Sequence, residues 1–212
     1  MGDLSSHASE AKSNLLLISL VAAVFGYLLP WVVAPSAPMT LGAYDLAEWL
    51  SLHPSQHHTS PPLQAVLFLR LQLVLLSLML GAVSANKPWR LVSAIVIVLL
   101  AIGQLPPPEF IKDLGNINYR QQFALALTSL IAGLLLLYIR HSRLRSIVLV
   151  VLPLAGTLTV VAGVSQALGV FTSLHANGTV GLGVWIFVAS YVACFASTVI
   201  AGAWRARTHS RT

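Results

Sequence analysis

Charged residues are scarce in this sequence. Only 8% of its 212 residues are Asp, Glu, Lys or Arg, whereas 57% are hydrophobic. A soluble domain carries about 25% charged residues, so this chain has too few charges to cover a surface in water. The apolar residues also fall in long runs, as in helices that face lipid. The composition therefore predicts an integral membrane protein whose first partner is the lipid bilayer.

Cysteine and the common catalytic motifs are almost absent. The single cysteine, Cys194, excludes an intrachain disulfide, a CxxC redox motif and a cysteine-rich metal site. The sequence contains no Walker A, HExxH or G-x-S-x-G motif. No acidic residue lies within an apolar run. We therefore predict no catalytic residue and no bound cofactor.

The apolar residues form six runs, each read as a transmembrane helix. A span needs about 20 apolar residues. The runs are Asn14–Ala34, Leu63–Ala85, Leu91–Leu105, Phe123–Ile139, Ile147–Leu168 and Val180–Ala203. They predict an all-α bundle over residues 14–204, with a polar tail at 1–13 and a basic tail at 205–212.

The first run is longer than the apolar core of a signal peptide, and Pro35-Ser36-Ala37-Pro38 makes a poor cleavage site. We expect it to be retained as a helix. Tyr27 and Trp31 lie near its outer end, where amphipathic rings prefer the membrane interface.

Lys and Arg are distributed unevenly between the two predicted sides of the membrane. One side holds nine: Lys12, Lys87, Arg90, Arg140, Arg143, Arg145, Arg205, Arg207 and Arg211. The other side holds two, Lys112 and Arg120. Because cytoplasmic loops of membrane proteins are rich in Lys and Arg, this predicts that both termini are cytoplasmic and that the longer loops are exterior. The same rule explains the net charge of +6, so we do not expect nucleic-acid binding.

Arg70 is the only charged residue inside a predicted span. It lies seven residues from the exterior end of the second run, roughly 10 Å deep at 1.5 Å per residue. Such a charge marks a functional or paired site, unless its long side chain extends outward to the headgroups. The acidic candidates for pairing are Asp45 and Glu48. They lie in the stretch Leu41–Leu50, which we predict to form a short helix on the membrane surface; their spacing puts both on one face.

Four exterior histidines are the candidate metal ligands. His53, His57 and His58 share one loop and His175 lies in another. An i, i+4 pair on a helix can hold a metal, but Pro54 interrupts the pattern. We therefore predict a solvated loop and no metal site.

Other polar and small residues in the runs have an ordinary packing explanation. We expect Gln72, Gln104 and Gln166 to form hydrogen bonds between helices. Close helix packing accounts for the glycines around the fifth and sixth spans, which are Gly163, Gly169, Gly181 and Gly183.

Three functions are compatible with these features. The first is a non-catalytic subunit of a larger membrane assembly, bound to other membrane proteins. The second is a small transporter or permease component that uses Arg70 for an anionic group. The third is a redox or metal-handling protein that uses the exterior histidines. Since only one short sequon, Asn177-Gly178-Thr179, would suit a eukaryotic secretory protein, we expect a bacterial cytoplasmic membrane.

Overall fold

The structure is a computed structural model that describes residues 2–36, 39–52, 64–83, 87–139 and 141–209. Within these ranges the fold is helical with three very short strands. The helices are α1 (Gly2–Leu28), α2 (Ala43–Leu52), α3 (Ala65–Val83), α4 (Lys87–Ile102), α5 (Ile117–Tyr138), α6 (Ser142–Ser173) and α7 (Leu182–His209). The strands are β1 (Val32–Ala34), β2 (Met39–Leu41) and β3 (Thr179–Val180), and a 3-10 helix covers Pro108–Ile111. The predicted all-α class is confirmed.

Four of the described helices are long and apolar enough to cross a membrane. They are α3, α5, α6 and the part of α7 from Leu182 to Ile200. The predicted first and third spans correspond to shorter apolar helices, Asn14–Leu28 in α1 and Trp89–Ile102 in α4. Four helices of this length and composition are typical of a membrane protein.

The first predicted span ends earlier than expected. We predicted a helix to Ala34, but α1 ends at Leu28 and Val32–Ala34 is a strand. Pro30 explains the difference, because a residue before proline avoids the helical conformation. The two valines after it favour a strand. Strand β1 lies between β2 and β3 and pairs antiparallel with both, with Val32 opposite Leu41 and Val180.

Two further helix boundaries differ from the prediction. Helix α5 begins at Ile117, not Phe123, because the side chain of Asn116 caps it by accepting from the backbone N–H groups of Asn118 and Tyr119. Helix α6 continues to Ser173 and contains Pro153 without ending there.

Helix α3 lies at the centre of the bundle. In its most apolar window 78% of the residues are buried, compared with 33–39% in the other three long helices. It packs against α1, α2, α4, α5 and α6. Polar side chains join it to α6, where Gln72 donates to the Thr159 hydroxyl at 2.9 Å. Gln104 on the segment after α4 donates to Ser129 of α5 at 2.8 Å. The expected hydrogen bonds between helical segments are thus confirmed for Gln72 and Gln104. Gln166 of α6 accepts from the backbone N–H of Gln64, the residue before α3.

Small residues allow other helices to approach closely. A Cβ on Gly183 of α7 would lie 2.7 Å from the backbone oxygen of Gly26 in α1, and one on Gly163 would lie 3.3 Å from Phe68. The packing prediction is wrong for Gly169, where a Cβ would have no neighbour within 4 Å.

Aromatic rings fill the interface between α1 and α7. Trp31 and Tyr27 are buried, and both rings contact Phe187. The indole N–H of Trp31 donates to the Gly26 oxygen at 2.9 Å. These two residues therefore belong to the core, because the sheet folds the chain back over them, and the prediction that they lie at the lipid interface is wrong.

Candidate functional site

Arg70 lies in the protein interior near the start of α3 and is only 2% exposed. Its Nη2 donates to Glu48 Oε1 at 2.6 Å. Its Nη1 donates to Asn118 Oδ1 at 2.6 Å and to Gln121 Oε1 at 3.2 Å. The side chain is thus paired inside the bundle and does not extend outward to lipid headgroups.

Three helices position the partners of Arg70. Glu48 lies on α2, whose apolar face (Ala43, Leu46, Ala47 and Leu50) is buried and which packs against α3. Asn118 and Gln121 stand three residues apart in the first turns of α5, so they share one face. The neighbouring Gln122 donates to the same Glu48 oxygen at 2.6 Å. We call these five residues, Glu48, Arg70, Asn118, Gln121 and Gln122, the polar cluster.

The predicted acidic partners behave differently. Glu48 forms the ion pair, whereas Asp45 is exposed and is not among the hydrogen-bond partners of Arg70 described above. The predicted helix containing them is present as α2, and its apolar face packs against α3 within the bundle. The apolar spacing of Ala43, Leu46, Ala47 and Leu50 explains this, because it gives the helix a stripe that the core buries.

Sequence reasoning missed Asn118, Gln121 and Gln122. The fourth predicted span begins only at Phe123, so these three amides fall outside it. The missed signal was Asn116, a preferred N-cap residue two positions before the first of these amides.

The candidate metal ligands are not brought together in the described residues. His175 is exposed just after α6, in the left-handed backbone region with φ 57°. His53, His57 and His58 lie outside the described residues. Within the part of the chain that the structure describes, no group of three or more His, Cys, Asp or Glu side chains is arranged to hold a metal ion.

The charge of the polar cluster is balanced. One guanidinium faces one carboxylate, and the other three members are neutral amides. Tyr44, on α2 beside the cluster, is half-buried. Its burial, followed by the nearby charge of Glu48, raises the pKa of its phenol above the usual value of 10.0, so Tyr44 is a neutral hydrogen-bonding group at physiological pH.

A lateral cavity of about 220 Å³ opens beside this cluster. Its walls come from α1 and α4, and Tyr44 and Leu73 also line it. A narrower crevice shares Tyr44 and Leu73 and continues to Arg70, Gln104 and Gln122. The polar cluster therefore lies close to the cavity, but the side chains between them leave no space for a water molecule.

Several buried polar atoms near the cavity have unused hydrogen-bonding capacity. Among the described residues, no partner is found for the Tyr27 hydroxyl, Arg70 Nε, Gln104 Oε1 or Gln122 Oε1. Buried polar groups are normally satisfied, and four more such atoms lie elsewhere in the described residues, on Gln72, Arg90, Arg145 and Tyr191.

Comparisons with protein families, with curated proteins and with solved structures find no match for this chain. Its function must therefore be inferred from the geometry of the site.

Proposed function

We propose that this protein is a non-catalytic subunit of a larger assembly in a bacterial cytoplasmic membrane, with six spans and both termini in the cytoplasm. The two shorter apolar helices, α1 and α4, supply the first and third spans. The nine-to-two distribution of Lys and Arg supports this orientation, with α2 and the three strands on the exterior side.

The closed state of the Arg70 ion pair is the observation that supports a non-catalytic role. Both terminal nitrogens of the guanidinium are already bound, to groups on α2 and α5. A substrate anion would have to displace Glu48, which holds Arg70 at 2.6 Å. In this arrangement the charge fixes α2 and α5 to the central helix, which is a structural role.

The short helices support assembly with other membrane proteins. The apolar parts of α1 and α4 span roughly 22 Å and 21 Å at 1.5 Å per residue, less than the roughly 30 Å of a bilayer core. Oligomerisation is one way to relieve such a mismatch. On α4 an outer apolar face is available, formed by Leu91, Ile95, Leu99 and Ile102, all exposed.

Native purification with a matched pair of variants tests this proposal. The protein carries an affinity tag and is expressed from its own chromosomal gene. It is extracted in mild detergent, and the mass of the complex that contains it is measured. We expect a stable multi-subunit complex, with Ile95→Trp on the outer face of α4 reducing recovery of the partners. Leu158→Trp is the control, since Leu158 is at least as exposed as Ile95 but lies on α6.

The other outcomes identify the competing functions. A solitary monomer or homodimer would contradict the subunit proposal and favour a small transporter component. A redox or metal-handling role would be favoured by a stoichiometric metal, or by haem absorbance, that disappears when the exterior histidines are replaced. Equal partner recovery from both tryptophan variants would refute α4 as the assembly face.

A further inference from the structure

Two arginines lie near each other at the end of the bundle opposite the polar cluster. Arg90 belongs to the first turn of α4 and Arg145 to the first turn of α6. Their charges are close enough to repel each other. Nε of Arg145 donates to the backbone oxygen of Ile139, the residue after α5, at 2.9 Å. We call Arg90 and Arg145 the arginine pair.

Both members of the arginine pair lie on the inward sides of their helices. Arg90 stands three and seven residues before Ser93 and Ile97, which are both buried, and this spacing places the three on one helix face. Arg145 stands four residues before the buried Leu149. Each arginine is itself half-buried. The pair is therefore partly inserted between helices, whereas most loop charges are surrounded by water.

The chain supplies almost no acidic residue that could neutralise this pair. There is no Asp or Glu between Glu48 and Glu109, and none in residues 114–212. The two acids on the predicted cytoplasmic side, Asp3 and Glu10, belong to the start of α1, which packs mainly against α7. Among the described residues neither arginine forms an ion pair.

The local electrostatics favour an anion from outside the chain. Each arginine lies at the N-terminal end of a helix, where the helix dipole is positive and disfavours a cation, and neither first turn carries an acid. Nε of Arg90 and Nη2 of Arg145 are buried without a partner. The two terminal nitrogens of Arg90 are not among these buried atoms, and no described residue accepts a hydrogen bond from them. They are therefore open to an external acceptor.

The position of the pair favours a lipid phosphate as that acceptor. The apolar part of α4 begins at Trp89, so the pair lies where a membrane helix enters the headgroup region. Beyond Arg145, α6 exposes Ile147 and Val151, which are 58% and 52% exposed and offer a surface for an acyl chain. Arginine matches phosphate geometry with its planar fork, and basic pockets between membrane helices on the cytoplasmic side bind anionic lipid heads.

We propose that the arginine pair binds the phosphate of an anionic membrane phospholipid, with an acyl chain of the lipid lying along Ile147 and Val151 of α6. This surface is distinct from the outer face of α4 assigned above to a partner subunit. The lipid site therefore does not depend on the proposed assembly.

A matched set of charge variants tests the site. Arg90→Gln and Arg145→Gln each remove one cation from the pair, and they should fold because they also relieve its repulsion. Arg143→Gln is the control, since it removes the same charge from the same turn of α6 but Arg143 is exposed. Arg90→Lys keeps the charge without the planar fork, so it should bind more weakly than the wild type and more tightly than Arg90→Gln.

The full chain, freed of lipid in a mild non-ionic detergent at about 0.15 M salt, is titrated with three probes by calorimetry. They are dioctanoylphosphatidylglycerol, dioctanoylphosphatidylcholine with the same acyl chains and no net charge, and glycerol 3-phosphate. We expect saturable and tightest binding of the phosphatidylglycerol. Arg90→Gln and Arg145→Gln should weaken it about 5- to 30-fold, the loss of one contact between an arginine and a phosphate. Arg143→Gln should stay within about 2-fold of the wild type, because salt screens an exposed charge.

The probes also separate the lipid from other sources of negative charge. Glycerol 3-phosphate binding as tightly as the lipid, with the same dependence on both arginines, would assign the pair to a soluble phosphate ester and overturn the lipid proposal. No saturable binding of any probe would overturn it as well, and loss of copurifying subunits from Arg90→Gln would then assign the pair to a carboxylate of a partner. Equal binding of phosphatidylcholine, or binding unaffected by both glutamine variants of the pair, would also contradict the site.

Discussion

Removal of the Arg70 charge should destabilise the bundle by a measurable amount. Arg70→Leu leaves the Glu48 carboxylate without its cation and two amide oxygens, on Asn118 and Gln121, without their donor. Breaking a fully buried ion pair costs about 3–5 kcal/mol. The Glu48 side chain is 32% exposed, so water partly replaces the lost partner, and we expect a cost of about 2–3 kcal/mol.

This free energy corresponds to a clear change in melting temperature. For a chain of 150–250 residues, 1 kcal/mol shifts the melting temperature by about 2–4 °C, so Arg70→Leu should melt roughly 4–12 °C below the wild type in detergent. Arg70→Lys should recover part of the loss, because an ammonium pairs with Glu48 but lacks the planar fork that also reaches Asn118 and Gln121. Arg120→Leu is the control, since Arg120 is exposed near the same end of α5 and should change stability by about 0.5 kcal/mol or less.

The unequal exposure of the two partners adds a second comparison. Glu48→Gln leaves the guanidinium, whose side chain is 3% exposed, without a counter-charge. This variant should therefore be at least as unstable as Arg70→Leu. The double variant should lose less unfolding free energy than the two single variants lose together. Near-wild-type melting of Arg70→Leu, with free substitution by Lys, would refute the structural role of the ion pair.

Two further predictions concern residues away from the ion pair. Gly156→Ala should cost about 1–3 kcal/mol of stability, because its Cβ would overlap the buried ring of Tyr191. Gly169→Ala, in open space on the same helix, should be neutral or stabilising by up to about 1 kcal/mol. Equal melting temperatures of the two variants would contradict this packing. The pKa of the Tyr44 phenol is raised in the folded protein. The folded protein therefore keeps a proton that the unfolded chain releases above about pH 10. Because of this difference, the stability of the folded protein falls as the pH rises above about 10. The melting temperature should therefore fall less between about pH 9 and pH 11 in Tyr44→Phe than in the wild type, and an identical fall would contradict the raised pKa.

The positions of the helices could largely be predicted from the sequence. Long apolar runs indicate helices in a membrane protein because every backbone polar group must be paired within the segment, and each of the six runs corresponds to a helix. Their boundaries were less predictable. Pro30 and the N-cap Asn116 moved two of them by several residues, although both residues carry a local signal.

The arrangement of the helices could not be predicted. Lipid-facing and protein-facing helices are both apolar in sequence, so nothing in the run of α3 shows that it is the central helix, 78% buried in its most apolar window. Arg70 and Glu48 could be chosen as candidates by their charge. Their amide partners on α5 and the lateral cavity beside Tyr27 depend on contacts between distant segments, and no local pattern encodes such contacts.

The arrangement of the chain across the membrane is tested most directly by reporter fusions. We expect fusions after Ser142 and at the C-terminus to report the cytoplasm, and a fusion near Gln56 to report the exterior. This result would place α2 and the polar cluster at the exterior end of a six-span bundle. An exterior C-terminus would require an odd number of spans, and it would contradict the proposed topology.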